Sequence, residues 1–336
     1  MSSRVESFGA QIFHYFRRED DGVCREPLEG AAAWRAEDVA GDPDAWTEHL
    51  TAGELEQLEA AIAHVRVKDV AMADVGREEF PLASLGERIR SWADELHRGR
   101  GFLRVRALPV ARWGDEAASL AFWGIGQHLG RPGAQNPEGD LLGDVLDTGE
   151  EAQAPNVRRY KTSGDIAFHC DLADAVGLLC LRTALRGGAS RIASSVAVYN
   201  EILARRPEWI GRLYQPFALD SRNEEREGAP AFIPVAPCRF ANGRLSTFYH
   251  SDYFRSAARH PEVELGEVEN GLLDLYDSVA NDPALRLDME FEVGDIQLIS
   301  NHTIVHARTG YEDGPDPEHK RHLRRLWLSF GNGDGL

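Results

Sequence analysis

The sequence predicts a mainly β protein with helices packed outside a single β core, and three observations carry that reading. From about Asn156 onward, short apolar and β-branched runs alternate with Gly, Pro and Asn turn signals. Apolar residues at helical spacing are concentrated in residues 1–150. No internal repeat or low-complexity linker divides the chain. Residues 1–336 therefore read as one unit, in which 1–150 packs on a core built from 151–330 that carries an inserted lid segment at about 220–285. With 336 residues, 43% of them hydrophobic, there is enough apolar side chain for a substantial core.

The elements follow in chain order. Residues 1–45 are rich in charge and glycine and read as a strand, loop or partly ordered lead-in. Thr51-Ala52-Gly53-Glu54 is a capping box, and Leu55, Leu58, Ala61, Ile62 and Val65 follow it on one helix face. A second helix covers Leu82 to His97, Gly101 to Arg106 alternates as a strand, and a third helix runs from Asp115 to Leu129. Gly126, Gly130 and Gly133 are too scattered for a phosphate loop. In the second half, Asp165 to Phe168 lead into His169 as a strand, an apolar run spans Ala175 to Leu181, and Arg186-Gly187-Gly188 turns the chain. Helices are expected near Val198–Arg205 and Glu267–Asn281. Gly294-Asp295 opens a β-branched stretch that Asn301-His302 breaks into two short strands, and a last strand covers Arg321 to Leu328.

Composition narrows the class. A net charge of −18 disfavours a nucleic-acid backbone as partner, although a local arginine cluster can still hold a small anion. No segment reaches the roughly 18 uninterrupted apolar residues of a membrane span, and Met1 to Glu6 do not resemble a signal peptide. The four cysteines, Cys24, Cys170, Cys180 and Cys238, show no Cys-x-x-Cys spacing. A soluble, cytoplasmic protein with reduced thiols and no membrane partner is expected.

The chemistry-bearing pattern is His169-Cys170-Asp171 with a distant downstream histidine. On a strand, residues i and i+2 share a face, so His169 and Asp171 point together while Cys170 points away. Two histidines and one carboxylate with open positions are the donor set that holds non-haem Fe(II). The pattern is inexpensive, since His250/Asp252 repeats it and His260-Pro261-Glu262 comes near it. His250, however, lies among Thr247, Phe248, Tyr249 and Tyr253 and too few positions before His306 for a sheet to separate them. The third ligand is His302 or His306, and the Thr-Ile-Val between them fits a strand rather than one helix face.

Taken in order, Phe168-His169-Cys170-Asp171, Gly187-Gly188-Ala189-Ser190, Gly294-Asp295, Asn301 with His306-Ala307-Arg308, and Arg321 to Leu328 form a set running from about Gly101 to Leu328. That set resembles the taurine dioxygenase and clavaminate synthase-like Fe(II)/2-oxoglutarate oxygenases. The resemblance implies a double-stranded β-helix (jelly-roll) core and iron on His169, Asp171 and His306. It implies that an arginine binds the distal carboxylate of 2-oxoglutarate; Arg321 is the first of the Arg-x-x-x-Arg strand and Arg325 the second. The gap from His306 to Arg321 is long for the family, and the Gly314-Pro315-Asp316-Pro317 loop supplies the extra length. A guanidinium suits the task because it stays charged and pairs a carboxylate bidentately. A hydroxyl assists it in the family; alignment on the Gly-Gly turn points to Ser190, and spacing from Asp171 also admits Ser194 or Ser195.

By the same resemblance the cofactors are Fe(II), 2-oxoglutarate as co-substrate and O2, with succinate and CO2 as co-products. The carboxylate of Asp171 fills the position that halogenating relatives leave to chloride, which favours hydroxylation or another C–H oxidation. The substrate is expected to be a small, carboxylate-bearing metabolite. Tyr160 after Arg158-Arg159, Asn136 after Gln135, the cluster Tyr249, His250, Asp252, Tyr253 and Arg255, and Arg308 beside His306 are the substrate-side candidates. Two other classes stay open: a cupin-like metal-dependent oxygenase or isomerase without 2-oxoglutarate, and a non-enzymatic acid-binding barrel. A homo-oligomer is in keeping with the family.

Overall fold

The computed structural model describes residues 5–17, 19–149, 159–223, 228 and 230–330. Two sheets face each other, as the expected double-stranded β-helix requires. The larger sheet has seven strands in the order Thr47–His49, Phe102–Arg106, Ile296–Ser300, Ala175–Arg182, His322–Ser329 and Arg131–Gly133, with Leu142–Val145 also paired to His322–Ser329. The smaller sheet runs Arg286–Met289, Ser190–Ser194, Ile304–Arg308 and Ile166–His169. The break expected at Asn301-His302 is there, and it lets one chain segment leave the larger sheet at Ser300 and enter the smaller at Ile304.

Alternation along the strands sorts side chains into three apolar layers. Outside the larger sheet, Leu179, Leu298, Leu326 and Leu328 pack against Leu58, Leu85, Trp92, Phe122 and Trp123 of the helices Ala52–Lys68, Ser84–Arg98 and Val110–Leu129. Outside the smaller sheet, Phe168, Ala193, Val305 and Ala307 pack on the helices Ser195–Arg205 and Glu267–Ala280. Between the sheets lie Phe102, Val176, Ile192, Met289, Ile299, Ile304 and Trp327. The functional side chains share this inner face.

Helix boundaries follow their caps. Thr51 Oγ accepts from the Glu54 amide while Glu54 accepts from the Thr51 amide, so the capping box opens the helix as read. The third helix begins earlier than expected, at Val110, because two helices join across Gly114, whose φ of 78° breaks the spiral. Gly126 serves packing rather than phosphate binding: a Cβ there would lie 2.2 Å from Leu326 Cδ2, so glycine lets the helix settle on the strand.

The lead-in is a correction. Residues Phe8–Phe16 form a helix that Ser7 caps through its hydroxyl, and it buries Gln11 and Tyr15 against the core. The strand Phe102–Arg106 is buried on both faces rather than alternating, since helices cover one side and the second sheet the other. Among the described residues no helix is long and apolar enough to cross a membrane.

Candidate metal centre

His169 ends the strand Ile166–His169, and His306 lies opposite it in antiparallel register on Ile304–Arg308. Asp171 follows where the chain turns toward the larger sheet. One ligand atom each from His169, Asp171 and His306 lies within 4.8 Å of the others. His306 Nε2 is 3.9 Å from Asp171 Oδ2, too far for a hydrogen bond and short enough for one ion to bridge. His169 Nδ1 sits 2.9 Å from the Ala167 carbonyl and donates to it in the tautomer that leaves Nε2 free for a ligand.

The electrostatics suit a cation. Burial works against charge on Asp171, yet Arg325, His306, His169 and the Trp327 indole together hold its carboxyl at about 2. Burial, with His169 and Arg325 on the same side and Asp171 opposing, pushes His306 down to about 3. At neutral pH the carboxylate is thus charged and His306 is neutral, the forms in which both donate to a metal. Supporting groups fix the carboxylate: Trp327 Nε1 donates to Oδ2 at 3.0 Å, Arg325 Nη1 approaches Oδ1 at 3.4 Å, and Asn301 Oδ1 accepts from the Asp171 amide at 3.1 Å. The donor set therefore fits a divalent metal with a facial triad.

His302 points elsewhere. Its Nε2 meets buried Asp174 at 2.9 Å and its Nδ1 meets Ser246 Oγ at 2.7 Å, while Tyr15 stacks on its ring. Asp174 also receives His14 Nε2 and the Phe330 amide, each at 2.8 Å, so the group ties the first helix and the last strand to the barrel. Ser194 caps a helix by accepting from the Ala197 amide, and Ser195 Oγ lies 3.5 Å from the His302 carbonyl. Ser190 faces inward, donating to Gln297 Oε1 at 3.0 Å.

A cavity of about 370 Å³ opens on the triad, lined by His169 and Asp171 together with Tyr160, His250, Asp252, Tyr253, Arg222, Arg325 and Trp327. Phe8, Ile12, Leu172, Leu219, Ile233 and Phe248 make most of its wall apolar. His250 bridges to His169 through the backbone on the side away from His306 and stacks on Tyr253 with centroids 3.8 Å apart. It thus comes close to the triad without joining it, because the pairing places it beside His169 rather than across from Asp171. Tyr160 lies 4.4 Å under the Arg325 guanidinium.

Three substrate-side expectations are corrected. Asn136 does not line this cavity; it closes its own turn by bonding Asp140 and accepting from the Gly139 and Asp140 amides. Its neighbour Gln135 instead holds Arg325, accepting from Arg325 Nε at 2.7 Å and donating to the Arg325 carbonyl. Tyr249 is core, stacked on Tyr276 at 3.7 Å with its hydroxyl on Asp277. Arg308 does not line the cavity; it is buried at the end of its strand, with Nη2 on the Thr162 and Gly164 carbonyls. Arg158 falls outside the described residues.

The two arginines of the last strand separate. Arg325 lines the triad cavity, whereas Arg321 lines a neighbouring one of about 340 Å³ with Gly187, Gly188, Cys180 and Leu323. Sequence reasoning did not single out Trp327 or Phe8 as lining this cavity. Trp327 was legible in principle, since Arg321, Leu323, Arg325 and Trp327 alternate on one strand face; Phe8 carries no local signal.

The chain is similar to several known proteins. A family model described as taurine catabolism dioxygenase TauD, TfdA family matches residues 66–327. FR-33289 synthase of Streptomyces rubellomurinus is 30% identical over 318 residues, covering 93% of each chain. A taurine hydroxylase-like protein of Stachybotrys chartarum is 27% identical over 308 residues, 89% of this chain and 79% of its own. Among solved structures, asparagine oxygenase in complex with Fe(II), a hydroxyasparagine and succinate matches with a TM-score of 0.66 over 84% of this chain and 93% of its own at 16% identity, a likeness of fold. The non-heme iron oxygenase OrfP in complex with Fe and alpha-ketoglutaric acid matches with a TM-score of 0.61 over 85% of this chain and 94% of its own at 14% identity.

Proposed function

The chain belongs to the TauD, TfdA family of dioxygenases, and from that membership we propose that His169, Asp171 and His306 hold its Fe(II) while Arg321 receives the distal carboxylate of 2-oxoglutarate. The protein is an Fe(II)/2-oxoglutarate-dependent dioxygenase; in this family, iron with 2-oxoglutarate and O2 supplies the oxidising power that hydroxylates a C–H bond, and 2-oxoglutarate leaves as succinate and CO2. The observation that carries the residue assignment is the convergence of three ligand atoms within 4.8 Å beside a cavity that His169 and Asp171 line.

The protein's own residues would then divide the work. Asp171 contributes charge, and Trp327, Arg325 and Asn301 keep its carboxylate oriented. Phe8, Leu172 and Trp327 help to exclude water from the face on which the substrate sits. Arg321, rather than Arg325, suits the co-substrate because Arg325 is already engaged by Gln135 and Asp171, whereas Arg321 Nη1 is buried with no hydrogen-bond partner. Arg325 and Arg222 leave the triad cavity with guanidinium groups beside an apolar wall. The substrate class we infer is a small metabolite with an anionic group and an apolar body. All four cysteines are free and three are buried, which supports a reducing, cytoplasmic setting.

The test is succinate release from 2-oxoglutarate by the iron-loaded protein in air, with a library of small anionic metabolites. Stimulation by one member, abolished in Asp171→Ala, supports the reading. Substrate oxidation without consumption of 2-oxoglutarate contradicts it.

A further inference from the structure

Beyond the triad, the strands bring two buried arginines together around one tyrosine. Arg308 stands at the end of Ile304–Arg308, opposite Ser190, and Arg321 leads into His322–Ser329. Their guanidinium carbons lie 4.8 Å and 5.2 Å from the centre of the Tyr311 ring. Only 6% of Arg308 and 4% of Arg321 is exposed. Arg308 Nη2 donates to the Thr162 and Gly164 carbonyls, yet its Nε and Nη1 have no partner, and neither does Arg321 Nη1. Arg321 Nη2 reaches the Gly188 carbonyl at 3.5 Å, and the neutral Tyr311 hydroxyl lies beside the same guanidinium. Among the described residues no carboxylate side chain forms an ion pair with either guanidinium.

Contrast this with Arg259, which is bound bidentately by Asp220 at 2.9 and 3.0 Å. Burying one cation without a counter-ion is costly, and burying two that repel each other is more so. Donors left unused in such a place call for an anion that the fold does not itself supply.

We propose that Arg308 and Arg321 form a two-armed clamp for the distal carboxylate of 2-oxoglutarate, so that Arg308 is a second co-substrate-binding residue and the selector for dicarboxylates. This rests on the assignment of Arg321 to the co-substrate. The primary substrate already has guanidinium partners of its own, Arg222 and Arg325, in the cavity that opens on the triad. Ser190, facing Arg308 in the strand register, adds a hydroxyl on the same side.

The experiment compares 2-oxoglutarate with pyruvate, which has the same oxo-acid head and lacks the distal carboxylate. Binding to the Fe(II)-loaded protein is followed without oxygen by the chelate's visible absorption and by calorimetry. Arg308→Met should weaken 2-oxoglutarate about 10- to 100-fold, the span of one or two charge-assisted hydrogen bonds, while pyruvate changes less than about twofold. Arg308→Lys should recover part of the loss. A purely structural Arg308, acting through Thr162 and Gly164, would shift both ligands by the same factor and overturn the clamp, as would an unchanged 2-oxoglutarate affinity. Should Arg308→Met fail to fold, competition in the wild type decides: glutarate must displace 2-oxoglutarate far better than acetate does, and equal potency overturns the clamp. Wild-type protein that takes Fe(II) but no 2-oxoglutarate would overturn the co-substrate assignment together with the clamp.

Discussion

His169 and His306 stand opposite each other across one antiparallel strand pair, with ring centroids 4.2 Å apart. Backbone pairing therefore sets the spacing of two proposed ligands that are far apart in sequence, and the sheet holds both rings in place. Substituting either histidine by alanine should abolish stoichiometric Fe(II) binding, measured by metal analysis of the desalted protein, while circular dichroism stays native. His302→Gln should still bind one iron, because its partners are Asp174 and Ser246. Loss of iron in His302→Gln with His306→Ala still loaded would reverse the ligand choice.

Trp327→Phe removes the 3.0 Å hydrogen bond to Asp171 Oδ2 and keeps the ring. Groups that orient a metal ligand this way typically contribute about 10- to 100-fold in metal affinity or activity. We expect a loss in that range, read as a weaker apparent Fe(II) affinity in a competitive chelator titration. Unchanged affinity and turnover would mean that Arg325 and Asn301 hold the carboxylate without help.

The buried carboxylate Asp174 joins His14, His302 and the Phe330 amide. Asp174→Ala should cost about 3–5 kcal/mol, as expected when one member of a buried charged group is removed. Denaturant unfolding measures it. The variant that still folds should keep its iron, which separates this network from the metal centre.

Acid should weaken the wall of the cavity through Asp220. Burial alone would raise its carboxyl, but hydrogen bonds from Arg259, the Arg222 amide, Ser256 and His260 outweigh that and hold it far below the usual carboxylate range. A group with a depressed folded value stabilises fully above its unfolded value near ~4 and loses that contribution as pH falls toward the folded one. Asp220→Asn should therefore lower the melting temperature at pH 7, and the gap from wild type should narrow below about pH 4. A gap that stays constant with pH would show that the carboxylate's charge is not what stabilises this corner.

Much of the architecture was legible because local patterns and global packing agree. The Thr51–Glu54 capping box, the break at Asn301-His302 and the shared face of His169 and Asp171 are each encoded within a few residues. What escaped was tertiary in origin. The helix Phe8–Phe16 is short and sits within a charge- and glycine-rich first 45 residues, and its buried Gln11 and Tyr15 are explained only by the barrel they pack against. Gln135 rather than Asn136 meets Arg325, a choice made by which neighbour the turn after Gly133 directs inward. Tyr249 and His250 are adjacent in sequence, yet one joins the core and the other lines the cavity. The divergence of Arg321 and Arg325 into separate cavities goes with the close approach of Gly188 to the Arg321 side chain, which spacing along the chain does not reveal.

The most direct test is an anaerobic titration of iron-free protein with Fe(II) and then 2-oxoglutarate, watching the visible charge-transfer band of the chelate. We expect the band in wild type at one equivalent of iron, and its loss in His306→Ala and Asp171→Ala. A flat spectrum from folded, iron-loaded wild-type protein would contradict the co-substrate assignment and leave a metal enzyme that does not use 2-oxoglutarate.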